Sequence, residues 1–292
     1  MSSSNIATLI PDIYHLLRRK DGWFSDQLAE NLSQDLARRT QLHLNREGGR
    51  PSLRLSQMGD KCDRQLWYSV HHPEMAEQMP AWVEFKYLFG HIIEGVAVSL
   101  MRGAGHRVEG EQDELSVDGV LGHRDCVVDG CILDVKSCSS PAFKRFEDGS
   151  LKDSDTFGYL AQLDGYICGS LEDPLVTVKD RGYLLAIDKQ LGHMCLYEHK
   201  FREAFIRSRI LSYKEIVELR EPPSCTCGTR PYGESGNVAL DVRASYNPYK
   251  YCCFPSLRTF IYAKGPVYLT RVVRKPDALE VDKLGKPVYN IG

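Results

Sequence analysis

The stretch Gly122–Cys138 reads GHRDCVVDGCILDVKSC. Two runs rich in valine, isoleucine and leucine flank Asp129-Gly130, a dipeptide that tolerates the positive φ angles of a two-residue hairpin turn. The sequence therefore predicts two antiparallel strands joined by this turn. The predicted pairs are, outward from the turn, Val128–Cys131, Val127–Ile132, Cys126–Leu133 and Asp125–Asp134.

The last of these pairs places two carboxylates face to face. Like charges directly across a strand ladder destabilise it by roughly 0.2–1 kcal/mol. Side chains alternate along a strand, so Lys136 projects from the same face as Asp134. We interpret the pattern as a site for a cation between Asp125 and Asp134. The alternative is that both are solvated residues of an exposed hairpin, and the pair alone does not decide between the two.

The composition bounds the class of protein. The chain has 292 residues, 42% hydrophobic and 26% charged, without an apolar run long enough to span a bilayer. Its N-terminal stretch lacks the basic-then-apolar order of a signal peptide, so we expect a cytoplasmic protein. The net charge of −2 and a pI of about 6.5 exclude bulk electrostatic binding of nucleic acid, which would instead require a local groove.

Apolar periodicity outlines the remaining elements. The predicted helices lie within about 5–45 and over 85–101, 155–170 and 200–220, the last ending before Pro222-Pro223. A second strand pair is predicted over 181–188 and 193–200, and the chain from 222 onward is turn-rich. We expect three regions, which are a helical N-terminal region (1–52), a core (53–221) and a Cys/Tyr-rich C-terminal region (222–292). This order of elements predicts an α/β or α+β fold with a central mixed β-sheet flanked by helices.

The chemistry of the hairpin favours a hard divalent cation. The carboxylates of Asp125 and Asp134 and the carbonyl of Val135 are oxygen ligands that suit magnesium or manganese. Lys136 is placed to orient a metal-bound water and to neutralise charge on a phosphate. Metal-assisted hydrolysis of a phosphodiester needs both functions.

Two helices carry further candidates. Glu94 in FGHIIEG is positioned to reach the same cation, although such a residue alone is commonly a partly exposed helix position. Gln162 and Tyr166 are four residues apart and therefore lie on one helix face. Gln162 is a candidate to hold the attacking water or a phosphate oxygen, with Tyr166 beside it. Polar pairs at this spacing are common, so the order of the whole set is what points to a function.

That order, G-x-x-x-E, D, D-x-K and Q-x-x-x-Y, resembles the PD-(D/E)XK nuclease superfamily. Within it, the chain is similar to the RecB-like branch that includes CRISPR-adaptation exonucleases, and to phage nucleases that begin with a C-x-R-x-L-W-Y box. The resemblance covers roughly residues 53–262. It is carried by Gly90–Glu94, Asp125, Asp134–Lys136, Gln162–Tyr166 and the box Cys62, Arg64, Leu66, Trp67 and Tyr68. Many relatives have histidine where this chain has Glu94.

The resemblance implies a restriction-endonuclease-like core and a metal-dependent DNA exonuclease that acts from DNA ends, in the host cytoplasm if the chain is phage-encoded. Two alternatives stay open. One is a catalytically silent nucleic-acid-binding or assembly protein, and the other is a nuclease that acts on RNA or on specific DNA structures. Candidate phosphate contacts are Lys61, Arg64 and Arg181. A homo-oligomer or a recombination partner protein is also expected.

The resemblance also raises the question of an iron–sulfur cluster. Relatives have one cysteine before the core and three after it as C-x-x-C-x-x-x-x-x-C, a pattern in which Cys62 matches the first and Cys253 the last. Counting back from Cys253, Asn247 and Ala244 stand where cysteines are expected. The candidates to replace them are Cys225, Cys227 and Cys252. The site then holds an iron–sulfur cluster or zinc, or no metal, with tyrosines near 246–254 packing in its place.

Overall fold

The computed structural model describes residues 5–45 and 51–288. Its helices are α1 (Leu9–Arg18), α2 (Asp26–Leu44), α3 (Asp63–His71), α4 (Ala81–Gly103), α5 (Ser140–Glu147), α6 (Tyr159–Gly169), α7 (Glu203–Glu218), α8 (Val242–Ser245) and α9 (Lys250–Cys253). Its strands are β1 (Val108–Glu109), β2 (Glu114–Val117), β3 (Val120–His123), β4 (Cys126–Val128), β5 (Cys131–Cys138), β6 (Val178–Asp188), β7 (Met194–Lys200), β8 (Thr229–Tyr232), β9 (Asn237–Leu240), β10 (Arg258–Tyr262), β11 (Gly265–Arg271) and β12 (Leu279–Val281).

Two compact units divide the chain. The first comprises the described residues of Met1–Arg50 together with Arg54–Gly59 and Pro80–Ile210. The second comprises Pro51–Leu53, Asp60–Met79 and the described residues of Leu211–Gly292. The division into regions 1–52, 53–221 and 222–292 stays a prediction. No helix in the described part of the chain is long and apolar enough to cross a membrane.

The first unit is built on a five-stranded sheet in the order β1-β4-β5-β6-β7. Strand β5 pairs antiparallel with β4 and parallel with β6, so the sheet is mixed. Leu9 and Ile13 of α1 and Met101 of α4 pack in one buried cluster with alternate residues of the strands. Leu163 and Ile167 of α6 lie against Gly182 of β6. The predicted central mixed sheet flanked by helices is confirmed.

The hairpin of β4 and β5 follows the predicted register. Its pairs are Val128–Cys131, Val127–Ile132 and Cys126–Leu133. Asp129 and Gly130 have φ angles of 50° and 81°, as a type I′ turn requires. A Cβ at Gly130 would collide with Thr177, so glycine is required there for steric reasons as well.

The second unit contains a sheet that the sequence did not predict. Five antiparallel strands, in the order β12-β10-β11-β9-β8, occupy the region interpreted as turn-rich. The strands are short, and each face packs a cluster of only three buried residues. One cluster is Ala239, Phe260 and Leu269, and the other is Leu240, Ala244 and Leu257. The alternation of apolar and polar residues in these strands is therefore weak. The proline and glycine residues of the hairpins are the stronger sequence signal, and they indicate turns.

Candidate functional site

Strand β5 presents two charged side chains towards helix α6. Asp134 is 1% exposed and the Lys136 side chain 15% exposed, so both are withdrawn from bulk water. Lys136 Nζ lies 2.6 Å from Asp134 Oδ2 and donates a 3.1 Å hydrogen bond to Gln162 Oε1. Gln162 Nε2 in turn donates to the Tyr166 hydroxyl at 2.6 Å. Four predicted site residues thus form one continuous line of contacts across β5 and α6.

Asp125 lies just beyond the N-terminal end of β4. Its Oδ2 accepts a 2.7 Å hydrogen bond from the backbone N–H of Val135, which ties the carboxylate to the strand that carries Asp134. The regular ladder ends at Cys126, so the predicted Asp125–Asp134 pairing becomes a side-chain contact with the next strand. Val135 serves as a backbone donor, while its predicted role as a carbonyl ligand stays a prediction.

Glu94 is anchored by residues that the sequence did not indicate. Arg39 Nη1 of α2 lies 2.5 Å from Glu94 Oε1, and Gln112 Nε2 donates to the same oxygen at 2.8 Å. Oε2 has the His91 ring at 3.8 Å. Arg39 is 5% exposed and also pairs with Asp35 at 2.6 Å. One oxygen of Glu94 is therefore saturated by the scaffold, and the other is less constrained.

The signals for Arg39 and Gln112 are absent from the local sequence. Arg39 stands in a charged stretch of α2 that resembles any solvated helix face, and its partner Glu94 lies 55 residues away. Gln112 occupies a turn position with a φ of 57°. A positive φ outside glycine can accompany function, but it cannot be read from a single sequence.

Three carboxylates act on one another electrostatically. Burial raises the pKa of Asp125 well above its ordinary value, and the charges of Asp134 and Glu94 raise it further. Burial also raises the pKa of Asp134, against the opposing effect of Lys136. For Glu94, contacts with His91 and Arg39 outweigh burial and lower the pKa. Without a divalent cation, Asp125 and Asp134 therefore bind protons more readily than exposed aspartates do.

For the ammonium of Lys136, the neighbouring charges outweigh burial in setting the pKa. Burial alone would lower its pKa, but the carboxylates of Asp134 and Asp125 outweigh that effect and raise it. Burial raises the pKa of Tyr166, and Asp134 adds to the effect. Lys136 is therefore a persistent cation, and Tyr166 a neutral hydroxyl, at any pH near neutrality.

A second constellation lies in the second unit. The cysteine cluster, defined as Cys62, Cys225, Cys227 and Cys253, has its four sulfur atoms within 4.8 Å of one another. Among the described residues, it is the one group of three or more cysteine, histidine or acidic side chains with ligand atoms drawn so close together; the carboxylates around Lys136 are more widely spaced. All four cysteines are free thiols. Cys252, also predicted as a ligand, is half-buried and is not brought into the cluster.

The predicted phosphate contacts are distributed over both units. In the second unit, the backbone N–H of Lys61 donates to the Tyr213 hydroxyl and Arg64 Nε donates to the carbonyl of Pro223. In the first unit, Arg181 pairs with Asp180 and Glu198 and lines an open cleft of about 690 Å³ beside the hairpin turn. Arg181 lies five residues before Ala186, the β6 partner of Lys136, which is about 16 Å along the strand, so Arg181 does not belong to the group around the carboxylates.

Comparison with known proteins gives weak similarities. No family model matches the chain, and no curated protein matches it. Among solved structures, SSO0001 matches with 16% identity and a TM-score of 0.40, over 63% of this chain and 85% of its own. The alkaline exonuclease LHK-Exo from Laribacter hongkongensis matches with 12% identity and a TM-score of 0.39, over 63% of this chain and 90% of its own. At these values, neither similarity identifies a family or an activity.

Proposed function

We propose that the chain is a divalent-metal-dependent DNA nuclease of the PD-(D/E)XK type, an exonuclease that hydrolyses phosphodiester bonds from DNA ends. The observation that carries the proposal is the line of contacts from Asp134 through Lys136 and Gln162 to Tyr166, beside two further carboxylates. A persistent cation next to several buried carboxylates is an arrangement that suits metal-assisted phosphodiester cleavage.

The donor set fits a hard divalent cation. Asp134 Oδ2 is buried and, although Lys136 lies close to it, accepts no hydrogen bond of good geometry from the described residues. Carboxylate oxygens are the ligands that magnesium and manganese prefer. Asp125 and Asp134 would hold the ion, and Glu94 would contribute through Oε2. When bound, such an ion supplies an activated water and stabilises charge on the phosphate.

The protein groups around this position have separate tasks. Lys136 lies 2.6 Å from Asp134 and carries a pKa raised by the neighbouring carboxylates, so it would serve as a positive charge for a phosphate oxygen in the transition state. Gln162 fixes the ammonium, because its carbonyl accepts from Lys136 while its amide N–H donates to Tyr166. Arg39 holds Glu94 in place and compensates one of the three negative charges.

One contact favours a second candidate function, a nucleic-acid-binding protein without catalysis. Arg39 already neutralises Glu94, and the three carboxylates are not gathered as tightly as the cysteine cluster is. In such a protein, Arg39 and Lys136 would replace the divalent cation. Binding of DNA without cleavage, in magnesium and in manganese, would be its signature.

The test is digestion of labelled linear DNA, covalently closed circular DNA and RNA in magnesium and in manganese. Loss of linear DNA with survival of the circle supports an exonuclease. Cleavage of the circle would replace it with an endonuclease, and digestion of RNA alone would change the substrate class. An intact set of substrates in both metals would refute the nuclease proposal.

The cysteine cluster adds a second metal to the proposal, either the iron–sulfur cluster that the resemblance implies or a single zinc ion. DNA with free ends is the proposed partner, and a cytoplasmic location is proposed with it. A homo-oligomer and a recombination partner protein stay predictions.

A further inference from the structure

We propose that the cysteine cluster binds one tetrahedral zinc ion, and not the iron–sulfur cluster that the family resemblance implies, and that Asn247 supports this site from its outer shell. The inference concerns the second unit and does not depend on the nuclease proposal.

The spacing of the sulfur atoms matches a single ion. Cys62 Sγ lies 3.8 Å from Cys253 Sγ and 3.9 Å from Cys225 Sγ. A tetrahedral zinc ion with zinc–sulfur bonds of about 2.3 Å sets its ligands about 3.8 Å apart. The measured separations are far longer than a disulfide bond of about 2.05 Å. The four thiols are therefore arranged as ligands of one central atom.

An iron–sulfur cluster does not fit this spacing. Its thiolates bind different iron atoms, with inorganic sulfides filling the space between them. Thiolates around such a cluster are consequently farther apart than thiolates that share one ion. All four sulfur atoms here lie within 4.8 Å of one another, which leaves room for one ion and none for a body of several atoms.

Asn247 has a role at the site although it is not a cysteine. It stands where that pattern places a cysteine, yet it contributes hydrogen-bond donors instead of a ligand. Its Nδ2 donates to Cys227 Sγ at 3.3 Å and to Cys253 Sγ at 3.4 Å, and the residue is 2% exposed. Its Oδ1 accepts from the backbone N–H of Tyr249 at 2.8 Å, which fixes the amide orientation.

These donors suit thiolates better than thiols. Four thiolates around one zinc ion carry a net charge of −2, which needs compensation when the site is buried. Besides Asn247, the backbone N–H of Cys227 points to Cys225 Sγ at 3.4 Å. Cys62 is the N-cap residue of α3, where the helix dipole favours a negative charge. The surroundings of the cluster thus supply partial positive charge from three segments of the chain.

The ligands come from distant parts of the second unit. Cys62 precedes α3, Cys225 and Cys227 lie in the link between α7 and β8, and Cys253 ends α9. One neighbouring buried cluster is small, with Leu240, Ala244 and Leu257, and Cys227 itself packs against it. Small cores of this kind commonly depend on a structural metal. The zinc ion would therefore act as a cross-link that stabilises this unit.

The full chain, purified anaerobically from cells supplied with both zinc and iron, provides the first test. We expect one zinc per chain, no acid-labile sulfide and no visible absorption. Replacement of the metal by cobalt(II) should give intense thiolate-to-cobalt charge transfer and the d–d bands of a tetrahedral site. Brown protein with iron and matching sulfide would overturn the proposal, as would metal-free protein that fails to take up zinc or cobalt(II).

Three variants separate the ligands from their neighbours. Cys253→Ser should weaken or abolish stoichiometric zinc binding, whereas Cys252→Ser, one residue away and outside the cluster, should retain it. Asn247→Ala should still bind one zinc but with an affinity lower by about 10- to 100-fold, the usual effect of removing an outer-shell partner. Chelator competition measures all three, and an unchanged affinity in Asn247→Ala would refute the role of Asn247.

Discussion

Replacing Asp125 by asparagine should stabilise the protein at pH 8 when no divalent cation is present. Burial, Asp134 and Glu94 raise the pKa of Asp125 well above that of an unfolded aspartate. A carboxyl group of this kind contributes stability below its unfolded pKa, and the contribution is lost as the pH rises through the folded pKa. At pH 8 the Asp125 side chain therefore lowers the free energy of unfolding, and asparagine removes this loss. At pH 4 the two proteins should differ little in stability.

The gain in stability can be estimated from the interactions that Asp125→Asn loses and keeps. The asparagine Oδ1 can still accept the 2.7 Å hydrogen bond that Val135 donates to Asp125, so little bonding is lost. Relief of an uncompensated buried polar group is worth roughly 1–3 kcal/mol. For a unit of this size, 1 kcal/mol shifts Tm by about 2–4 °C. We expect a Tm for Asp125→Asn above that of the wild type by about 2–12 °C.

Magnesium should reverse the order of the two proteins. A cation at 1,000 times its Kd stabilises the wild type by about 4.1 kcal/mol, which exceeds the advantage of the variant, and Asp125→Asn should lose most of that gain. Thermal unfolding at pH 4 and pH 8, with and without magnesium, measures both effects. Asp21→Asn, at an exposed ion pair with Arg19, is the control and should follow the wild type. A wild-type Tm that ignores magnesium and manganese, or a variant that is less stable at pH 8 without them, would refute the reasoning.

Two further variants test single contacts of the first unit. Arg39→Met should lower activity and raise the magnesium concentration needed for half-maximal cleavage, because the site loses the guanidinium that holds Glu94. Arg38→Met, at an exposed position of the same helix, is the control. Equal magnesium dependence of the two variants would contradict this role of Arg39. Gly158→Ala should cost more than the roughly 1–2 kcal/mol of a left-handed alanine, because its Cβ collides with Gly59. Gly149→Ala has the same φ of 77° and open space, so in a denaturation experiment it isolates the backbone cost. Equal losses in the two variants would disprove the collision.

Local patterns were sufficient to predict the hairpin and the line of contacts that starts on β5. The Asp129-Gly130 turn sets the register, because only one pairing places the positive φ angles at these two residues. Strand alternation then puts Asp134 and Lys136 on one face, and helical spacing puts Gln162 and Tyr166 on another. The contact of Lys136 with Gln162 joins the two faces.

Contacts between distant segments could not be predicted in the same way. The pairing of Arg39 with Glu94 depends on how α2 packs beside α4, and nothing in either helix encodes it alone. The choice of Cys227 over Cys252 depends on the path of the link after α7, since both are half-buried cysteines. The sheet of the second unit depends on cross-strand pairing between short segments with weak alternation.

Single-turnover cleavage of one labelled linear DNA by the wild type and by Lys136→Met, in magnesium and with DNA binding measured on the same samples, tests the proposed chemistry most directly. Methionine keeps most of the aliphatic stem and removes the ammonium that lies 2.6 Å from Asp134. We expect the variant to bind DNA with near wild-type affinity and to cleave it at least about 100-fold more slowly, the scale of losing one electrostatic donor to the transition state. Equal cleavage rates, or a wild type that binds DNA and leaves it intact, would contradict the assignment of Lys136 and of the carboxylates around it.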